Sequence, residues 1–264
     1  SRSEDLMLEY TVPVPPYPTD KMWLNVGELE NSGLEFTVNY EVFQKTKVKW
    51  TTNLNFAYYI DTKLNKITSD IAEGESERFY GTLGDPYLTG VQTILVNEGG
   101  PIGQIIAPVF IEIAYDSVTE KYYKKYKDVD GDGEFNSKND YEIVGNGLPD
   151  FQLGWGNSIT YNNFYLNFFL RGVFGHSLVN ENNARFGEPN NIAIQSGMGI
   201  ALDYMQAQDG IQYSDVHVEE ASYVKLDNFA FGYNFNIPEN KYISSVKVYL
   251  SGQNLFTITN YSGV

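Results

Sequence analysis

Hydrophobic and polar side chains alternate with period two along much of the chain. Leu34, Phe36, Val38, Tyr40 and Val42 stand against Glu35, Thr37, Asn39 and Glu41. A tight connection near Lys45-Thr46 leads to Val48, Trp50, Leu54, Phe56 and Tyr58, opposed by Lys49, Thr51, Asn53 and Asn55. Phe151, Leu153, Trp155 and Ile159 run to a turn at Asn162-Asn163 and return through Phe164, Leu166, Phe168 and Leu170. Near the end, Phe229, Phe231, Tyr233 and Phe235 share one face, and Leu226, Asn228, Ala230, Gly232 and Asn234 the other. Then Val246, Val248, Leu250 and Gly252 oppose Lys247, Tyr249, Ser251 and Gln253, with Pro238 and Asn240 in the connection. Successive side chains of a strand point to opposite sides, so each stretch predicts a strand with one apolar and one polar face.

An opening strand, Leu6–Val12, ends at the prolines Pro13, Pro15, Pro16 and Pro18, which cannot donate to a ladder. A loop is expected from there to Gly33. Residues 61–149 read as irregular and glycine-rich, with the polar run AEGESER, and residues 176–221 read as a loop. The weak stretch Ile194–Gln208 is the one helix candidate, and no fixed-period repeat appears. Strands are therefore expected at Leu6–Val12, Leu34–Phe43, Val48–Ile60, Phe151–Tyr161, Phe164–Phe174, Tyr223–Asn236 and Ser244–Ile258. Their short links (near 45, 162 and 238–243) alternate with long ones (13–33, 61–149 and 176–221). Outer-membrane barrels show that asymmetry, short periplasmic turns against long external loops, whereas connections in compact soluble domains are typically about two to six residues. If the short turns share one side, residues 61–149 must contain an even number of crossings. The fold class is all-β and antiparallel.

Composition narrows the setting. Of 264 residues, 21 are Tyr and 16 Phe, and none is Cys, so no disulfide or thiolate site exists. A net charge of −16 leaves no basic surface for nucleic-acid phosphates. No run approaches the roughly 18 apolar residues of a membrane helix. A mean hydropathy of −0.33 remains compatible with barrel strands, which need only about ten alternating residues. The start, SRSEDLMLEYTVP, has no basic region and apolar core, so no signal peptide is read there, and the chain reads as a mature segment or a fragment.

The motif SxxKLDNFAFGY followed by VKVYLSGQNLFTITNYSG resembles the late barrel strands of SusC/RagA-type TonB-dependent outer-membrane transporters. NVGELENSGLEFTVNY (Asn25–Tyr40) and GGPIGQ (Gly99–Gln104) are similar to further elements of that family. The resemblance implies a transmembrane β-barrel segment with long extracellular loops, part of a barrel of about 22 strands. Residues 1–264 would then be a C-terminal part of the barrel, without plug domain or closing strands. It further implies a place in the bacterial outer membrane, in contact with its lipid. Implied too are TonB-dependent import of oligosaccharides or peptides, a SusD-like surface lipoprotein as partner, and TonB acting through another part of the protein. A structural subunit of a larger outer-membrane complex is an alternative within the same family. From a different class, a secreted β-sandwich carbohydrate-binding module stabilised by calcium would also explain the acidic charge and the aromatics.

One local motif carries chemistry. Asp128, Asp130 and Asp132 fall at the first, third and fifth positions of a calcium-type loop, with Gly133 at the sixth, Glu134 at the seventh and Asn136 at the ninth. Alternate oxygens converge on one hard cation while the glycine makes the sharp turn. The twelfth position is Asn139, with Asp140 one step later. Calcium and a solvated acidic turn are both open readings here. The flanks are not helical, so no EF-hand pair is expected. His176 and His217, the two histidines, lack a patterned partner, and no nucleophile elbow, H-E-x-x-H or phosphate loop occurs, so no enzyme activity is expected. Glu219-Glu220, adjacent on a strand, point to opposite faces and read as exposed charge.

Overall fold

The computed structural model describes residues 1–12, 14–45, 47–67, 77–84, 88–187, 197–210, 212–237 and 242–263. Strands follow in chain order: β1 (Arg2–Thr11), β2 (Lys21–Gln44), β3 (Val48–Lys66), β4 (Glu77–Thr82), β5 (Gln92–Asn97), β6 (Gln104–Ala107), β7 (Phe110–Asp116) and β8 (Lys121–Tyr126). After them come β9 (Glu142–Asn146), β10 (Phe151–Tyr161), β11 (Phe164–Phe174), β12 (Ser177–Val179), β13 (Val218–Glu220), β14 (Tyr223–Asn236) and β15 (Ser245–Thr259). One short helix, α1 (Glu181–Phe186), lies between β12 and β13. Pro13, Thr46, most of the AEGESER run, residues 194–196 of the helix candidate, and Pro238 with Asn240 lie outside the described residues.

Seven strands form one antiparallel sheet in the order β1-β2-β3-β10-β11-β14-β15. They are the seven strands expected from alternation. The excursions 67–150 and 175–222 leave this sheet and return to the adjacent position, so among the described residues they add no strand to it. Two expectations need correction. Residues 21–33 are not a loop but the first half of β2, paired with β1 over Lys21–Glu30 and with β3 beyond Tyr59. Bulges at Glu28/Leu29 and Ser32/Gly33 reset the alternation twice, which hides the strand from a period-two reading. Gly33 is needed there, because a Cβ would lie 2.8 Å from the Tyr58 carbonyl oxygen. Nor is 61–149 irregular. It holds a four-stranded sheet, β4-β5-β6-β9, and the β7-β8 hairpin. Likewise 176–221 carries the β12-β13 ribbon and α1, and the helix candidate becomes a 3-10 turn at Gly199–Tyr204.

β1 meets only the outer half of β2, so the band in common register runs from β2 residues 34–44 through β3, β10, β11 and β14 to β15. Opposed residues of an antiparallel pair share a face, and the register sorts the band cleanly. One row reads Phe43, Trp50, Ile159, Leu166, Phe231 and Leu250. Two positions on this apolar face are polar, Thr52 and Asn157. Each is met by a tryptophan across the strands: the Trp50 indole N–H donates to Asn157 Oδ1 (3.0 Å) and that of Trp155 to Thr52 Oγ1 (2.9 Å). The apolar face is open, with Leu34 63% and Leu250 70% exposed. An exposed apolar expanse of this kind marks a lipid- or protein-covered surface.

Leu226 departs from the alternation. Asp227 is an extra residue in β14, and the bulge turns Leu226 to pair with Leu170 and Phe256 on the apolar face. The Asp227 carboxylate meets Arg171 on the other face, with Nε to Oδ2 at 2.9 Å. The second core lies in the two excursions together: Leu83, Leu88, Ala107, Ala184 and Tyr213 are buried, with Val91, Val144, Val179 and Val218 packed on them. Residues from both excursions thus make one block at the end of the sheet away from the short turns.

Candidate functional site

The polar face is the first candidate surface. Its central row runs Asn39, Asn53, Gly156, Phe169, Asn228 and Gln253 across six strands. The Asn39 and Asn53 amides are hydrogen-bonded to one another, and Asn55 Nδ2 donates to Asn53 Oδ1 at 2.7 Å. Phe169 lies flat against Gly154 and Gly156: a Cβ on Gly154 would meet the ring at 3.0 Å. Tyr165 covers Gly232 in the same way, and Lys247 Nζ sits 4.0 Å from the Tyr165 ring centroid. The aromatic rings on this face are pressed into the wall, which leaves a concavity of about 870 Å3 whose lining includes Asn39, Asn53, Ser158, Asn167, Asn228 and Gln253.

The acidic loop is the second. Carboxylate oxygens of Asp128, Asp130 and Asp140 all lie within 4.8 Å of one another. Asp140 is fully buried. Its Oδ1 accepts the Val129 N–H (2.8 Å) and its Oδ2 the Asn136 N–H (2.7 Å), and these backbone donors hold its carboxyl below the usual aspartate range. Asp128 accepts from the Gly131 (2.6 Å) and Gly133 (2.9 Å) N–H groups. Gly131 and Gly133 have φ +78° and +91°, conformations open chiefly to glycine. Asp132 lies outside the carboxylate cluster and accepts the Glu134 N–H instead (2.8 Å). Glu134 is also outside it, and Asn136 Oδ1 accepts the Lys138 N–H (3.2 Å). So the fold brings Asp128, Asp130 and Asp140 together and leaves Asp132 and Glu134 apart. Phe135 stacks on Tyr126 with ring centroids 4.8 Å apart, anchoring the loop to β8.

Glu219 is not the exposed charge that its sequence suggested. Its carboxylate accepts hydrogen bonds from Asn180 Nδ2, Asn183 Nδ2 and both the N–H and the hydroxyl of Ser262. The partners lie 36 to 43 residues away, and nothing local announces them. Glu220 accepts the Ser222 N–H. His217 is buried, and its Nδ1 accepts the Ser214 N–H at 3.1 Å. Burial, reinforced by the charge of Lys124, pushes its imidazole down to about 4, so the ring is neutral and structural.

An open antiparallel wall with an exposed apolar face, a polar concave face and a loop block at one end has the pattern of a segment of outer-membrane β-barrel wall. Comparison with known proteins is narrower. TonB-dependent receptor P3 of Formosa agariphila is 28% identical over 99% of this chain, which spans 27% of that receptor. TonB-dependent receptor SusC of Bacteroides thetaiotaomicron is 26% identical over the whole chain, which spans 26% of it. No family model matches. Among solved structures, the RagAB peptide importer in its closed-closed state superposes with a TM-score of 0.77 at 15% identity, over 99% of this chain and 29% of that one. Its open-open state gives 0.73 at 17% identity, over 99% of this chain and 28% of that one. The resemblance to SusC/RagA-type outer-membrane transporters therefore extends along the entire chain, in sequence and in fold.

Proposed function

We propose that this chain is a stretch of barrel wall, with its extracellular loops, in a TonB-dependent importer of the bacterial outer membrane. Residues 1–264 supply a C-terminal part of the barrel. The polar face lines the passage, the apolar face meets lipid, and the loop block faces outward toward a SusD-like surface lipoprotein. The cargo is an oligosaccharide or a peptide, moved without any covalent step, and TonB supplies energy through another part of the protein. One observation carries this reading. The six-strand band puts the amides of Asn39, Asn53, Asn228 and Gln253 in one row on one side and open aromatic and aliphatic rows on the other, an arrangement suited to lipid outside and water inside. A soluble sandwich would cover the apolar rows with a second sheet. Among the described residues the wall's apolar side has no such cover.

The acidic loop is proposed to hold a calcium ion through Asp128, Asp130 and Asp140. Oxygens that close together suit one ion with ligands at about 2.3–2.6 Å. The ion would neutralise the clustered carboxylates and brace the loop block.

The test is to extract the native protein from membranes and measure its intact mass, its partners and uptake. Expected is an outer-membrane species several times heavier than 29.9 kDa, co-purifying with a lipoprotein and required for uptake. A soluble species of this chain's own mass would overturn the proposal. A membrane complex dispensable for uptake would make the chain a structural subunit instead.

A further inference from the structure

The short-turn end of the wall is cationic in an acidic chain. Residues 43–50, 159–166, 231–237 and 242–250 make that end, and they hold four lysines and no Asp or Glu, against a net charge of −16 for the whole. Glu239 and Lys241, of opposite charge, lie outside the described residues. The turns sit at one level, because the Asn162 N–H donates to the Lys47 carbonyl and the Asn234 N–H to the Asn163 carbonyl, both at 2.9 Å. The lysines divide by position. Lys49 and Lys247 lie on the polar face, opposite Thr160 and Asn234, and Lys247 rests over the Tyr165 ring. Lys45 and Lys47 are exposed in the β2–β3 turn. The Lys45 N–H donates to the Val48 carbonyl at 3.0 Å, so Lys45 stands at the end of the last apolar row, Val48, Tyr161, Phe164, Tyr233 and Val248. Tyr161 is 54% exposed. Among the described residues neither Lys45 nor Lys47 forms an ion pair, and the Tyr161 hydroxyl has no hydrogen-bond partner. Toward the other end Arg2, Lys63 and Lys127 each meet a carboxylate, at 2.7, 2.5 and 2.5 Å.

We infer that Lys45, Lys47 and Tyr161 form a headgroup site for an anionic glycerophospholipid of the leaflet that meets the short turns. The inference rests on the barrel-wall reading. Phe43, Trp50, Ile159 and Leu166, in the next row toward mid-membrane, give the acyl chains an aromatic and aliphatic bed, with the Phe43 and Trp50 rings 6.0 Å apart. Tyrosine and tryptophan sit at headgroup depth, apolar body inward and polar atom outward. Lysine stems lie along the apolar surface from that depth and carry the ammonium to the phosphate level. A phosphate there gains two cations and a phenol donor. The lack of carboxylates in these stretches selects the headgroup. A zwitterionic lipid would set its own ammonium beside two lysines with no carboxylate to meet it, whereas a headgroup whose only charge is the phosphate meets no such repulsion. Each lysine near an anionic membrane surface is worth about fivefold in affinity. Lys49 and Lys247 supply an internal comparison of equal charge on the wrong face.

The experiment is native mass spectrometry of the intact protein released from nanodiscs of phosphatidylglycerol and phosphatidylcholine in equal parts, read as the ratio of the two lipids retained. The variants are Lys45→Gln with Lys47→Gln, Lys45→Arg with Lys47→Arg, Tyr161→Phe, and the polar-face pair Lys49→Gln with Lys247→Gln. Wild type is expected to retain phosphatidylglycerol at least tenfold over phosphatidylcholine. The Lys45 and Lys47 glutamine pair should bring that ratio within twofold of unity, and Tyr161→Phe should lower it several-fold. The arginine pair and the polar-face pair should keep it. Tyr161→Phe removes one hydroxyl at the rim, so it carries the test even where the glutamine pair fails to insert. An unchanged ratio in the glutamine pair or, failing its insertion, in Tyr161→Phe would overturn the site. An equal loss in both glutamine pairs would reduce it to a general charge effect and overturn it too. Equal retention of the two lipids by wild type would overturn the headgroup class while the barrel-wall reading stands. A wild-type protein that stays outside the nanodisc bilayer would overturn the barrel-wall reading and this site with it.

Discussion

Replacing Glu219 by alanine should release a specific part of the molecule. The carboxylate gathers four donors: Asn180 Nδ2 (2.9 Å), Asn183 Nδ2 (2.9 Å), Ser262 Oγ (2.7 Å) and Ser262 N (2.7 Å). It thereby ties α1 to the residues that follow β15. Hydrogen bonds to a charged group are worth about 1.5–3 kcal/mol each, and are not additive within one cluster. Both asparagines are buried, but each keeps a contact to Ser262 Oγ, at 3.0 and 3.1 Å, so their amides are not fully orphaned. The net cost is about 2–4 kcal/mol, below the sum of the separate bonds. Because the knot lies off the wall, the loss should appear as local opening rather than global unfolding. Hydrogen exchange read by mass spectrometry should accelerate about 30-fold or more across residues 180–187, at about 1.4 kcal/mol per tenfold. The Ala184 N–H, bonded to the Asn180 carbonyl at 3.1 Å, is the sharpest reporter, and β10 and β11 should not change. Burial alone would raise the Glu219 carboxyl, but the Ser262 and asparagine donors hold it below the usual glutamate range. A depressed carboxylate stabilises above its unfolded pKa, and the contribution is lost as pH falls through the folded value. Less than threefold faster exchange at 180–187, or equal loosening of β10, would refute the reasoning.

His217 should add to the acid sensitivity of the same block. Its folded pKa near 4 lies below the unfolded value of about 6.5, so the unfolded state takes the proton first as pH falls. Stability is full above about pH 6.5 and is lost toward pH 4 by up to about 3 kcal/mol. Exchange rates at 212–221 compared at pH 7.5 and 5 should show the slope, and His217→Gln should flatten it. On the wall, Phe231→Arg places a cation on the apolar face and should cost about 2–4 kcal/mol in vesicle folding titrations if it sits near mid-membrane. Asn228→Arg, on the polar face, should stay within about 0.5 kcal/mol, and equal costs would contradict the two-face assignment. For the acidic loop, calorimetry should show calcium heat at sub-millimolar to millimolar levels that Asp130→Ala removes. An unaltered titration in that variant would exclude the site.

The alternation from Leu34 to Tyr40 and from Phe164 to Leu170, and the asparagine turn between Tyr161 and Phe164, were enough to place the wall strands and their faces. Those features depend on neighbours one or two positions apart, so they are written in the chain itself. The carboxylate spacing at Asp128 and Asp130 is local in the same sense. Where an inserted residue breaks the count, local reading fails: Asp227 turns Leu226 to the other face, and the bulges near Glu28 and Ser32 conceal half of β2. Asp140 joins Asp128 and Asp130 only because the loop closes on itself across 12 residues. Thr52 and Asn157 look misplaced on an apolar face until the register sets Trp155 and Trp50 beside them from a neighbouring strand. The loop block depended wholly on the tertiary structure, because its short strands bury residues from both excursions around one core. Glu219 meets α1 and Ser262 for the same reason. Period and turn chemistry are properties of adjacent residues, whereas a partner about forty positions away is chosen only when the whole chain has packed.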